Sequence, residues 1–343
     1  MKNKQLLLLL GLVAAVLAFV LLALSLLAFS LAYMFPGDIL QNLTGLRYIA
    51  PEQVAALTTE YRLDQGYLAQ YLAYLQRILS GNWGLSFASQ QPLLQEIGVL
   101  LPATLELAAY ALLISFFAGI PLGIIAAVKP EGTLSKSISA LAITGYSIPV
   151  FWWALLLIMV FSLGLGWLPT AGRIGVLYEV KHITGFMLVD ILLSDSAHRN
   201  DALLNALRHM LLPTLVLATY PTTVMVRFTK DSMLDVWEQS YIKTARAKGL
   251  NRLQVLYRHG LRNALLPVIR QIGLQFSTLI TLAMITEVIF SWPGIGRWLI
   301  DSIYQRNYPA IQAGLLVIST LVISVNMLTE ILHRLFNPLA RKR

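Results

Sequence analysis

The chain has 343 residues, 57% of them hydrophobic and only 13% charged, with a mean hydropathy of +0.67 and a formal charge of +9. That balance excludes an ordinary soluble domain and marks an integral membrane protein, in which net charge is read first as topology. The absence of cysteine excludes disulfides, thiolate metal sites and cysteine nucleophiles.

Residues 5–35 form an unbroken apolar run behind Lys2 and Lys4. A secretory signal has an apolar core of about 7–15 residues. This run is much longer, so residues 1–35 are expected to be an uncleaved first membrane span, stopped by Pro36-Gly37-Asp38. Residues 36–100 are expected to form an extracytoplasmic module with two amphipathic helices. One starts at Pro51 with Glu52 in its first turn, where proline and an acid both suit a helix N-terminus. Tyr67, Tyr71 and Tyr74 share one face and are expected at the water–lipid boundary. Residues 81–93 read as turn and short extended chain.

Further spans are predicted over about 102–128, 137–166, 210–227, 264–290 and 310–332, within a five-helix core at 101–333. Pro121 and Pro149 lie inside the second and third spans, where membrane helices tolerate proline. The long segment 167–209 separates the third and fourth spans. Residues 291–309 carry two Trp and two Tyr, as expected of a stretch along the interface. The fold class is therefore an all-α, six-span integral membrane protein. On the face holding both termini, 129–136 and 227–263 there are sixteen Lys and Arg against four acids. The other face has nine against ten. The positive-inside rule puts both termini, the loop 228–263 and the basic tail 334–343 in the cytoplasm. The +9 is topology, with no nucleic-acid partner implied.

The loop's most informative stretch runs from Tyr241 to Pro267. Lys243, Thr244, Ala245, Arg246 and Ala247 read as helix with small side chains, and Gly249 can take φ > 0 and end it. Asn251 is a good N-cap for a second helix, in which Leu253, Leu256 and Tyr257 fall at i, i+3, i+4 behind Leu250. A basic, amphipathic helix–turn–helix of this kind suits either a groove on another protein or anionic lipid headgroups.

There is no G-x-x-x-x-G-K-[ST] and no H-E-x-x-H, and five scattered histidines offer no Ser/His/Asp set. No catalytic residue, metal site or cofactor is expected in this chain, so any ATP and Mg²⁺ would be bound by partner subunits. Ionisable residues within spans are functional candidates by default. Glu106, soon after Pro102, reads as a carboxylate in the first turns of its span, near headgroup level. Arg270 either snorkels to the surface or lines a pore. Glu287 either faces a translocation pathway or pairs with an outer base such as Arg297. Gly145-Tyr146-Ser147-Ile148-Pro149-Val150-Phe151-Trp152 permits a kink and close packing, with Ser147 as a candidate substrate contact.

The 241–267 stretch resembles the EAA loop of ABC-transporter permeases, with Lys243, Thr244 and Ala245 at the triplet and Gly249 as the glycine. Leu261-Arg262 stands where the general pattern has Leu-Pro, while R-N-A-L-L-P ending at Pro267 matches the dipeptide, oligopeptide and nickel branch. FPGD at 35–38, LPATLEL at 101–107, GYSIPVFW at 145–152, GWLPTAGR at 166–173 and TEVIFSWPGIGRW at 286–298 extend the resemblance over most of the chain. The segments 177–196, 205–218 and 274–287 look like the B subunit of Sap-type peptide permeases. The Leu-rich N-terminus and residues 39–80 depart from that pattern.

The resemblance implies a type I (MetI-like) permease of the bacterial inner membrane, moving peptides, cationic or antimicrobial ones in particular. Its expected partners are a second homologous permease, two ABC ATPase subunits docked on the 241–262 loop, a periplasmic solute-binding protein and membrane lipid. A polyamine such as putrescine, possible as export cargo, remains open. So does an ion-driven secondary transporter, although paired repeats and intramembrane acids would then be expected.

Overall fold

A computed structural model describes residues 2–194 and 198–336. Its regular structure is helical apart from one antiparallel bridge between Leu85 and Pro92. The chain divides into two compact units, one of residues up to Pro102 with Gly294–Ser324, the other of Ala103–Pro293 with the segment from Val325.

In the first unit, α1 (Lys2–Met34) is the predicted apolar helix. The Asp38 carboxylate caps α2 (Ile39–Thr44), accepting from the Gln41 N–H at 3.1 Å. Pro51 opens α3 (Pro51–Glu60) as expected, and α4 (Tyr67–Leu79) follows. The tyrosine row packs on α1. Phe29 of α1 sits 5.1, 5.6 and 5.4 Å from the rings of Tyr67, Tyr71 and Tyr74. The Tyr67 and Tyr71 hydroxyls each lie 2.7 Å from a serine of α1, Ser30 and Ser25. Burial pushes the Tyr74 hydroxyl up to about 12, against the nearby Arg77 charge, so it stays protonated. Asn307 ties the 81–93 stretch to the C-terminal part of the unit, donating to Ser86 Oγ at 2.9 Å and accepting from the Phe87 N–H at 2.8 Å.

The remaining helices are α5 (Leu93–Val128), α6 (Thr133–Ser147), α7 (Val150–Leu157, continued by a π-helical turn at Ile158–Gly164), α8 (Met187–Leu193), α9 (Arg199–Trp237), α10 (Ser240–Ala247), α11 (Arg252–Val255), α12 (Leu261–Ala264), α13 (Leu266–Ile289), α14 (Ile295–Tyr304) and α15 (Tyr308–Phe336). Predicted boundaries move most at α5 and α9. Helix α5 starts at Leu93 and runs through Pro102 and Pro121. Helix α9 starts at Arg199, well before the predicted 210, carries Pro213 and Pro221 in its interior and extends to Trp237, so the connection expected from residue 228 begins about ten residues later. In α5, Gly119 and Gly123 form a G-x-x-x-G step against α9. A Cβ at Gly119 would lie 2.7 Å from Met225 Cβ, and one at Gly123 only 2.6 Å from the Val226 carbonyl oxygen. Small residues at this spacing let helix backbones approach closely.

Among the described residues, five helices are long and apolar enough to cross a membrane: Ala14–Met34, Leu93–Val128, Arg199–Trp237, Gln271–Ile289 and Tyr308–Leu332. The predicted third span is a bent pair, Thr133–Ser147 and Val150–Gly164, meeting at 103°. Pro149 disfavours the helical region at the residue before it. Ile148 accordingly takes φ −77°, ψ 124°, and the helix restarts at Val150. A kink was expected there; the structure has a complete break.

Candidate coupling surface and translocation site

Lys248 closes the first helix of the loop, its N–H donating to the Thr244 carbonyl at 3.0 Å. Gly249 follows at φ +81°, and the Leu250 N–H reaches back five residues to the Ala245 carbonyl at 3.4 Å. This is the reach of a Schellman stop, which needs the left-handed backbone that glycine adopts without a Cβ penalty. Asn251 then caps α11 reciprocally. Its Oδ1 accepts from the Gln254 N–H at 2.8 Å, and Gln254 Oε1 accepts from the Asn251 N–H at 3.0 Å, forming a capping box.

The two arms fold onto one another. Ile242 and Ala245 are buried with Val255, Leu256 and Ala264, together with Met233 and Val236 of α9 and Ala127 of α5, and Leu250 packs against this group. Ser232 Oγ donates to the Ala264 carbonyl at 2.8 Å, and Asn263 donates to the Tyr241 hydroxyl at 3.0 Å. Lys243, Thr244, Ala247, Lys248 and Gly249 remain exposed. The result is a rigid knob with a small-residue crest between two lysines. The side chains of Arg246, Leu253 and Arg270 lie outside the described residues.

Glu106 is not where its sequence position suggested. Because α5 begins at Leu93, this carboxylate lies in mid-helix, is 1% exposed, and is far from the N-terminus of its own helix. Arg173 compensates it instead, donating to Glu106 Oε2 from both Nη2 and Nε. The Leu188 N–H donates to Oε1 at 3.2 Å, and Arg173 Nη2 also reaches the Gly185 carbonyl at 2.7 Å. The guanidinium lies 5.5 Å from the ring of Trp292, whose indole N–H donates to the Ala103 carbonyl at 3.0 Å.

Buried Asp190 holds the same loop from within, accepting from the Thr184 hydroxyl at 2.6 Å and from the N–H groups of Thr184 and Gly185 at 2.7 and 3.0 Å. Burial opposes its ionisation, but these donors outweigh burial and hold the carboxyl below the usual aspartate value. In the sequence Arg173 was one more outer-face charge; only the closed loop brings it to Glu106.

The two pathway candidates sit in contrasting places. Ser147 is exposed at the end of α6, its hydroxyl donating to the Ile143 carbonyl at 3.0 Å. Glu287 is fully buried and accepts from Thr104 Oγ1 at 2.5 Å. In this conformation its carboxylate is closed off from solvent.

Residues 119–342 match the family described as "Binding-protein-dependent transport system inner membrane component", and residues 6–108 match a model for the N-terminal part of such membrane components. The di/tripeptide transport system permease protein DppB of Pseudomonas aeruginosa is 44% identical over 92% of this chain and 94% of its own. The peptide transport system permease protein SapB of Salmonella typhimurium and the putrescine export system permease protein SapB of Escherichia coli are each 47% identical over 79% of this chain and 85% of theirs. Among solved structures, an inward-facing form of the MetNI methionine ABC transporter aligns with a TM-score of 0.51 at 17% identity. It covers 70% of this chain and 96% of its own, and at that identity it bears on the fold alone. The all-helical architecture, the MetI-like fold and these matches have one conclusion: the chain belongs to the family of binding-protein-dependent transport system inner membrane components, as a multi-pass membrane permease subunit of an ABC transporter.

Proposed function

We propose that this permease moves short peptides, cationic ones among them, across the bacterial inner membrane. It pairs with a second permease chain, and two ATPase subunits dock on the knob at 240–264, with a solute-binding protein delivering cargo outside. The observation that carries the coupling reading is the knob itself. A Schellman stop and a capping box fix two helices against the inner ends of α5 and α9, so a push on the exposed crest reaches the spans through buried contacts.

The peptide reading is supported by a relative named for di- and tripeptides that aligns along nearly the whole chain. Putrescine is a second reading, favoured by the Escherichia coli relative named for its export, but that alignment covers less of the chain. The charge split supports cytoplasmic termini; reporters fused at positions 60, 190 and 300 are expected outside and those at 132, 245 and 340 inside.

The test is flux through the whole transporter, purified by way of this chain and placed in vesicles with ATP. Labelled dialanine, a lysine-containing dipeptide and putrescine are compared. Movement of both dipeptides is expected; ATP-driven movement of putrescine alone overturns the reading. Glu287→Gln is included because this carboxylate is proposed to serve cationic cargo. It should lower flux of the lysine peptide and spare dialanine, while equal flux of both would return Glu287 to a purely structural role.

A further inference from the structure

A cleft of about 270 Å³ opens between α6, α9 and α13 within the second unit. It lies just below the range of about 300–1,000 Å³ typical of small-molecule sites, so it suits a short ligand. Its polar groups come as two ladders. Arg227 and Asp231 stand one turn apart on α9, and Gln271 and Gln275 stand one turn apart on α13. Tyr146 and Tyr220 stack across one side at 5.1 Å, and the Arg227 guanidinium sits 6.0 Å from the Tyr146 ring.

Two features point to a ligand. Gln275 is 4% exposed, yet its Oε1 has no hydrogen-bond partner among the described residues, which is unusual for a buried acceptor. Arg227 and Asp231 make no ion pair with each other or with another described side chain, whereas the adjacent Lys230 donates to Ser139 at 2.9 Å. Both side chains are exposed at the mouth of the cleft, where a charged ligand could reach them.

We propose that this cleft binds a dipeptide with both ends free, Arg227 taking the carboxylate, Asp231 the ammonium group, and Gln275 Oε1 accepting from the peptide N–H. The spacing fits. Residues four apart on a helix are offset by about 6 Å, and two extended residues span about 7 Å. A guanidinium suits a carboxylate because it offers two parallel donors. The inference rests on the peptide reading above and adds where, and by which chemical groups, the cargo is held.

The natural absence of cysteine makes a clean test. Val224 lines the cleft, so Val224→Cys can be labelled with a maleimide in vesicles holding the assembled transporter. Dialanine should protect this cysteine, while N-acetyl-dialanine and dialanine amide should each need about tenfold higher concentration, as expected for one lost charged contact. Adding Arg227→Gln should weaken dialanine about tenfold and leave the amide unchanged; Asp231→Asn should do the same with the N-acetyl form as the insensitive probe. Arg227→Lys, which keeps the charge, should lose less and guards against loss through misassembly, read as ATPase co-purification. Equal protection by free and blocked peptides overturns the proposal. So does a cysteine that never labels, as when the second permease covers the cleft, or absence of protection in vesicles that do transport dialanine. Protection without any peptide flux would instead sink the transport reading and leave the site standing.

Discussion

Arg173 and Glu106, 67 residues apart in sequence, form a buried ion pair that closes the long loop after the bent span onto α5. Such a pair gains little over apolar packing, yet removing one partner strands the other charge in a low-dielectric interior at a cost of about 3–5 kcal/mol. Arg173→Met should therefore lower the thermal midpoint of the purified permease sharply and expose the 175–190 segment to protease. Combining it with Glu106→Gln should recover part of the loss. An Arg173→Met protein that melts with the parent would show that the pair does not hold the loop.

Gly249 has φ +81°, and a Cβ there would meet nothing within 4 Å. The penalty for a side chain is thus purely backbone strain, about 1–2 kcal/mol for a left-handed residue. Gly249→Val should insert and fold normally but tilt α11 and the crest, giving lost ATPase docking or docking without cargo-stimulated hydrolysis. Lys248→Gln removes a neighbouring charge and should do much less if the knob works by shape. If the loop merely rests on anionic lipid, the order reverses. Co-purified ATPase and flux, measured for both variants, separate the two.

Helix α5 offers a matched pair of glycines. At Gly98 a Cβ meets nothing within 4 Å, so Gly98→Ala should stabilise by about 0.5–1 kcal/mol through helix propensity. At Gly123 the added carbon would be forced against the Val226 carbonyl and the Thr229 side chain, and Gly123→Ala should destabilise by roughly 1–3 kcal/mol. Thermal midpoints in one detergent decide the matter; the same sign at both positions would contradict the packing of α5 on α9.

Asp190 gives a pH signature. Its native value lies below the unfolded one, so its contribution is complete above the unfolded value, near pH 4, and is lost as pH falls through the native value. Hydrogen exchange at the Thr184 and Gly185 amides should be flat from pH 7 to about 4 after correction for intrinsic rates, and protection should fall below that. Asp190→Asn should remove the pH dependence and weaken protection throughout, by roughly 2 kcal/mol for hydrogen bonds to a charged acceptor. A pH-independent parent profile would sink this account.

The apolar runs that became α1, α5, α13 and α15 were legible because a span must be long and nearly uncharged. Their ends were less so. Pro102 resembles a helix start but lies inside α5, and the polar residues after Val226 resemble a loop but continue α9. Proline alone does not decide between tolerance and rupture: Pro121, Pro213 and Pro221 are absorbed, whereas Pro149 separates two helices. The helix–turn–helix at 241–264 was the most readable feature, since Gly249 and Asn251 act on neighbours within a few residues; the answering bond from Gln254 came only with the structure. The Glu106–Arg173 pair and the polar cleft depend on tertiary closure, which no local pattern encodes.

The break at Ile148-Pro149 has a consequence for the surrounding bilayer. Helix α6 has 15 residues and is therefore about 22 Å long, well short of a hydrocarbon layer about 30 Å thick. With the second half turned by 103°, it cannot supply the missing height when α6 stands upright. Phe151, Trp152, Leu155 and Met159 are exposed along that second half. Wherever α6 borders lipid, the layer would have to thin to match it, whereas the longer α5 and α9 would be accommodated by tilting, so acyl-chain length would act on the two kinds of helix in opposite senses.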